Sequence, residues 1–267
     1  MTKKKSASTR ISKKQAVLLD IFLHCVESNQ FEFDNELVKE ISNNHSFKNP
    51  FDATKIDNLS MLPKHIREQG YCVAHLGQGR HKFITEQQYW FHNFEQITNK
   101  ETPWKYRKSA LNETDSSESN ILSVGFNQRI VHDFLYDDIV ATPKMYGSRR
   151  TKISTSYNVG SENIDVTRLQ LEIDLITEYQ GVVTVFEGKN KFPDDFAVYQ
   201  LFHPFAYFNK LQEDRKISIK QTNCCYLLRK FEKGQSIIRM YLYTFDNPDN
   251  IASIRLIKCD QYRLVER

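Results

Sequence analysis

No apolar run in the sequence approaches the length that spans a bilayer, and no apolar segment follows the basic N-terminus as a signal peptide would require. Neither a membrane span nor a leader is expected. Cysteine is scarce: Cys25, Cys72, Cys224, Cys225 and Cys259 are an odd number and nowhere form CxxC. That spacing excludes a zinc ribbon or a disulfide framework and points to reduced thiols in a cytoplasmic protein. The eight histidines are scattered singly, with no HExxH. His75 and His81 can face each other across a hairpin, and a surface polar pair is expected there rather than a metal site. Internal repeats are absent too. Charge of one sign is missing overall, since the net charge is only +4.

What charge there is lies unevenly. "MTKKKSASTRISKK" carries six Lys/Arg and no acid, leaving 31 basic against 33 acidic residues in the rest. A basic arm on a near-neutral body suits nucleic-acid contact or a solvated tail. Length and composition fit a globular chain of one large domain or two ordinary ones. Three segments are expected: 1–85, a connector at 86–120, and 121–267.

In the first segment, "SKKQ" (Ser12 to Gln15) has capping-box spacing. It opens a helix with Val17, Leu18, Ile21, Phe22 and Cys25 on one face. Asp34 can cap a second helix carrying Leu37, Val38 and Ile41. "DATKIDNLS" reads as a short helix. "LPKHIREQG" reads as another, with Pro63 at its start and Gly70 at its stop. "YCVAHLGQGRHKFI" reads as two strands around Gly77-Gln78-Gly79. Helices followed by a hairpin resemble a winged helix-turn-helix. That resemblance implies DNA contact through Lys64, His65 and Arg67 on the late helix and Arg80, His81 and Lys82 on the wing.

The connector contains "PWKYRK", which interleaves aromatics with cations, and "LNETDSSESN", a polar linker. The third segment is expected to be α/β. A helix in "GFNQRIVHDFLYDD" precedes strands in "TKISTSYNV", "ENIDVT", "LQLEIDLIT" and "GVVTVFEGK". Asp194 is expected to open a helix that Pro204 kinks or splits. Strands in "CCYLLRK", "SIIRMYLYTF" and "ASIRLIKC" close the chain.

The hairpin at Leu171 to Lys191 carries the chemistry. With a turn at Tyr179-Gln180, Glu187 faces Glu172 and Val185 faces Asp174. Glu172, Asp174, Glu187 and Lys189 then share one face of the sheet. Opposed carboxylates destabilise a sheet unless something neutralises them, and a hard divalent cation does so. Such an ion also engages a phosphate and makes a water easier to deprotonate, while the lysine holds that water or the phosphate. The constellation suits metal-dependent phosphodiester hydrolysis.

Asp174, twelve residues, then Glu187-Gly188-Lys189 resembles the signature of the PD-(D/E)xK nuclease superfamily, and "FAVYQLFHPFAY" resembles the following helix of some type II restriction endonucleases. The similarity covers about residues 150–208. It implies a mixed-sheet nuclease domain behind a winged helix, hence an α+β or α/β chain. It assigns the metal site to Asp174, Glu187 and the Gly188 carbonyl, the water to Lys189, and a place beside them to Gln200. Glu172 is either a further metal-site acid or a structural neighbour. The upstream helical acid of many members is left between Asp133 and Asp137. Residue 173 is Ile where the motif's name has Pro.

The implied activity is Mg²⁺-dependent cleavage of double-stranded DNA at a specific sequence, with Mn²⁺ able to substitute. The implied partners are a second copy of the chain, at least on DNA, and a cognate DNA methyltransferase. Three alternatives stand beside it: a repair or recombination nuclease of the Holliday-junction-resolvase kind, a winged-helix regulator with an inactive nuclease-like domain, and a structural protein.

Overall fold

The computed structural model describes residues 11–107, 109–110, 117–232 and 234–266. Most of the basic N-terminal arm, Lys108 of "PWKYRK" and most of "LNETDSSESN" lie outside them. The chain folds as α1 (Lys13–Ser28), β1 (Glu32–Asp34), α2 (Asn35–Asn44), α3 (Lys64–Glu68), β2 (Cys72–Gly77) and β3 (Arg80–Ile84). Then come α4 (Gln87–Trp90), β4 (Phe91–Asn93), β5 (Thr102–Tyr106), α5 (Glu118–Asn127), α6 (Ile130–Tyr136), β6 (Lys144–Tyr146), β7 (Arg149–Val159) and β8 (Glu162–Ile173). β9 (Leu175–Tyr179), β10 (Val182–Lys189), β11 (Asp195–Ala197), α7 (Tyr199–Glu213), β12 (Gln221–Glu232), β13 (Gln235–Phe245) and β14 (Ile254–Glu266) complete it. The protein is a mixed α+β chain.

Local chemistry sets the first elements. Ser12 and Gln15 close a reciprocal capping box on α1, which buries Val17, Leu18, Ile21, Phe22 and Cys25. Asp34 accepts from the Glu36 and Leu37 amides and caps α2. β1, β3 and β2 form an antiparallel sheet in that order. Residues 52–60 are not the expected helix. Two single 3-10 turns, Pro50–Asp52 and Leu59–Met61, take up its two ends, with irregular chain between them. Bonds to distant chain replace a helical ladder here: the Asp57 carbonyl accepts from the Ala197 amide at 2.8 Å.

Seven strands form a mixed sheet in the order β5-β14-β13-β12-β10-β9-β6. β9 and β10 pair antiparallel, while β10 and β12 run parallel, joined over the sheet by α7. Part of the expected connector is therefore structural: β5 edges this sheet beside β14, and β4 pairs with β11. Residues at alternate positions along β10 feed two cores. Val183 and Val185 join Val17, Trp90, Phe202 and Tyr226 in a cluster that runs from α1 to the sheet. Phe186 joins Ile121, Leu122, Val131 and Leu227 on the opposite face. The helix expected from Phe126 to Leu135 is two, broken where Arg129 turns left-handed, and it begins earlier, at Glu118. Asp195–Ala197 is extended rather than helical, and α7 runs through Pro204 without splitting. No helix among the described residues is long and apolar enough to cross a membrane.

The β2–β3 hairpin does not project freely. β2 packs on β8, and Lys82 pairs with Glu162 of the long β7–β8 hairpin at 2.8 Å. His75 and His81 do face each other, with their Nδ1 atoms 3.0 Å apart. The pair is not at the surface, however: His81 is buried against Phe33 and donates its Nε2–H to Asn35 Oδ1.

Candidate active site

The β9–β10 hairpin is set two residues away from the expected register. Val182 faces Tyr179 and Val185 faces Ile176, so Gln180 and Gly181 form the turn. Both have positive φ, 51° and 83°, as a two-residue type I′ turn requires, and Gly181 meets that demand at no steric cost. An even shift preserves faces. It also exchanges partners: the register, continued one step, sets Asp174 rather than Glu172 opposite Glu187.

Asp174 sits at the bend where β8 gives way to β9. Its Oδ2 accepts from the Gly188 amide at 3.2 Å, which holds the carboxylate beside the Glu187-Gly188-Lys189 strand. Lys189 Nζ lies 2.8 Å from Glu187 Oε1 and 3.3 Å from Glu118 Oε1. Gln200, in the first turn of α7, places Nε2 3.4 Å from Glu187 Oε1 and 3.2 Å from Asp57 Oδ1. Tyr226, on neighbouring β12, donates its hydroxyl to Gln200 Oε1 at 2.8 Å and so fixes which end of the amide faces the acids.

Glu172 stands apart. It lies on the β7–β8 ribbon opposite Arg150, and the two form an ion pair at 2.7 Å on an exposed face. Asp133 accepts from Tyr262, and Asp137 points to Lys258. The acid that does reach the site from an upstream helix is Glu118, the first residue of α5. It falls in the stretch read as a linker. The signal that marks it is Ser117, whose hydroxyl caps α5, followed by Ile121, Leu122 and Val124 at helical spacing. Asp57, the other acid missed, has no local signal at all.

Electrostatics follow from burial. Desolvation, with Asp174 and Glu118 nearby, pushes Glu187 up to about 7 despite Lys189. Burial raises Asp174 as well, against the Gly188 amide and Lys189. Burial opposes the Lys189 charge, but Glu187, Asp57 and Glu118 together outweigh it and hold the ammonium above the usual lysine range. The site therefore has more acid than one lysine neutralises. Among the described residues, no three His, Cys, Asp or Glu side chains form a ready metal cluster. The available donors are two carboxylates and a backbone carbonyl, all oxygen, which is the chemistry a hard cation such as Mg²⁺ takes.

The DNA-contact candidates divide. Lys64, His65 and Arg67 are exposed on α3, as is Arg80 at the start of β3. Lys64 is close to Glu68, and His65 bonds Gln69. Lys82 is held by Glu162, and His81 by His75 and Asn35.

A family model described as Domain of unknown function (DUF6997) matches residues 86–263, and one described as Domain of unknown function (DUF6996) matches residues 14–83. No curated protein and no solved structure matches.

Proposed function

With the chain belonging to the DUF6997 family over residues 86–263, we propose that it is a metal-dependent endonuclease of the PD-(D/E)xK kind that cleaves double-stranded DNA at a specific sequence. The observation that carries this reading is the gathering of Asp174, Glu187 and Lys189 at one end of adjacent strands, followed directly by the helix that brings Gln200. Asp174, Glu187 and the Gly188 carbonyl would hold Mg²⁺, or Mn²⁺ in its place. The ion would supply positive charge to the scissile phosphate and make a water more acidic. Lys189 steadies that water or the phosphate oxygens, and Gln200 holds the Glu187 carboxylate in place. Burial of the Glu187 and Lys189 side chains keeps bulk water from screening them.

The N-terminal half is proposed as a winged-helix-like grip. The order α1-β1-α2-α3-β2-β3 supports it, with exposed Lys64, Arg67 and Arg80 as phosphate contacts. Lys82 contributes only if its pair with Glu162 opens. Cutting both strands calls for two sites, hence a dimer on DNA, and a companion methyltransferase would protect the host sequence.

Digestion of a sequenced plasmid with Mg²⁺ tests the reading. Discrete fragments are expected, and Asp174→Asn, Glu187→Gln and Lys189→Met should each abolish them while leaving DNA binding intact. A protein that cuts neither linear nor branched duplex with Mg²⁺ or Mn²⁺, yet binds DNA, would be a regulator instead.

A further inference from the structure

The segment between the two 3-10 turns is pinned from both sides. On one side, Lys14 of α1 donates to the Lys55 carbonyl at 2.6 Å and pairs with Asp52. On the other, the Ala197 amide donates to the Asp57 carbonyl, and the Leu59 amide donates to Asp195 Oδ1 at 2.6 Å. Ala53, Ile56 and Asn58 are buried. Between these pins the Asp57 side chain turns toward the candidate site and meets Gln200 Nε2 at 3.2 Å.

That contact uses up the Gln200 amide. Its oxygen accepts from Tyr226, and its two N–H groups serve two carboxylates, Asp57 and Glu187. A carboxylate placed close to an acidic site is unfavourable unless its hydrogen bonds compensate for lost water. Asp57 has such a bond, and the group it holds is the one that touches Glu187. The main-chain bonds around it leave the carboxylate little freedom to turn away.

We infer that Asp57 is a positioning residue: from the N-terminal half it fixes the Gln200 amide, and through it the Glu187 carboxylate, so the site is complete only while the two halves are docked. Its consequence for cleavage rests on the nuclease reading above, but the contact itself does not. The N-terminal half then does more than grip a ligand. Any ligand that shifts residues 53–61 also shifts Gln200, which couples binding there to the site through one side chain.

The test uses the full ¹⁵N-labelled chain without metal. In the wild type, the Gln200 side-chain amide protons should be shifted from those of a solvent-exposed Gln amide and slow to exchange with water. Asp57→Ala should collapse that signature, and Asp57→Asn, whose carbonyl still accepts a hydrogen bond, should restore it. Asp57→Glu keeps the charge but overreaches by one methylene, so it should also move the Gln200 signals and serves if Asp57→Ala does not fold. Gln200 signals unchanged in Asp57→Ala or Asp57→Glu overturn the inference. In a Mg²⁺ cleavage assay, Asp57→Ala should lower kcat by about tenfold or more, with KM for the duplex unchanged and most of the rate recovered in Asp57→Asn. A wild type that cleaves nothing while Asp57→Ala disturbs Gln200 leaves the positioning role standing and removes the nuclease reading alone.

Discussion

Glu187 shows what a buried acid does to pH dependence at the scale of one residue. Its ordinary value is 4.5, and the fold raises it to about 7. A raised acid favours the folded state while protonated, so its contribution is full below about 4.5 and lost as pH rises through about 7. Asp174 is raised too and acts with the same sign. Metal-free protein should therefore lose thermal stability relative to Glu187→Gln between pH 5 and pH 8, and Mg²⁺ should recover it. A difference between the two that stays constant with pH would contradict this. A second residue-scale prediction separates the upstream acids. Glu118→Ala, which removes the contact with Lys189, should lower cleavage sharply, whereas Asp133→Ala should not. The triad of Asp174, Glu187 and Lys189 was readable in the sequence because strand alternation and a short turn tie these residues together locally. Glu118 and Asp57 lie 71 and 143 residues from the side chains they touch, and no periodicity spans such gaps. Glu172 leaves that face because the chain bends at Asp174, so that Glu172 pairs with Arg150 on the β7–β8 ribbon, and no sequence pattern marks that bend.

Elements carry the second kind of constraint. α5 lies so close to β10 that a β-carbon at Gly188 would come within 2.9 Å of the Glu118 carbonyl and 3.3 Å of Leu122. The middle position of Glu187-Gly188-Lys189 is thus glycine because a helix start rests on it. Gly188→Ala should destabilise the protein by about 1–3 kcal/mol, the usual range for overpacking, and should push Glu118 away from Lys189. Urea unfolding measures the first effect. A cleavage rate that falls more than the stability loss explains would report the second. Helix starts with oxygen caps, at Ser12 and Asp34, and the glycine-flanked β2–β3 turn could be read directly from sequence. Residues 52–60 could not, because the bonds that pin them are made to α1, to β11 and to the start of α7, all distant in the chain.

At the scale of the whole molecule, the two segments meet at a group of histidines, His81 and His203 buried and His75 half-buried. His75 faces His81, His203 and Lys55, and burial first, then those neighbours, holds it well below the usual range. Burial likewise lowers His81 and His203 to about 4, with Asp34 working against it at His81. For lowered histidines the sign reverses: their stability is present above about 6.5 and lost as pH falls toward 4. Acid should loosen the junction, and Trp90, which packs on Tyr199 there, should report it by fluorescence. His203→Gln should shift that transition to lower pH; an identical titration would refute the assignment. The segment boundary near residue 85 is visible in sequence as a change of pattern, but the packing across it is not, since one apolar cluster runs from Val17 to Ile251. That continuity bears on inheritance. A gene can exchange a self-contained module in one recombination, but not half of a shared core. Replacing residues 14–83 of this chain with a foreign module would strip one side from that cluster, so such a graft is expected to fold only when the residues facing it are changed with it.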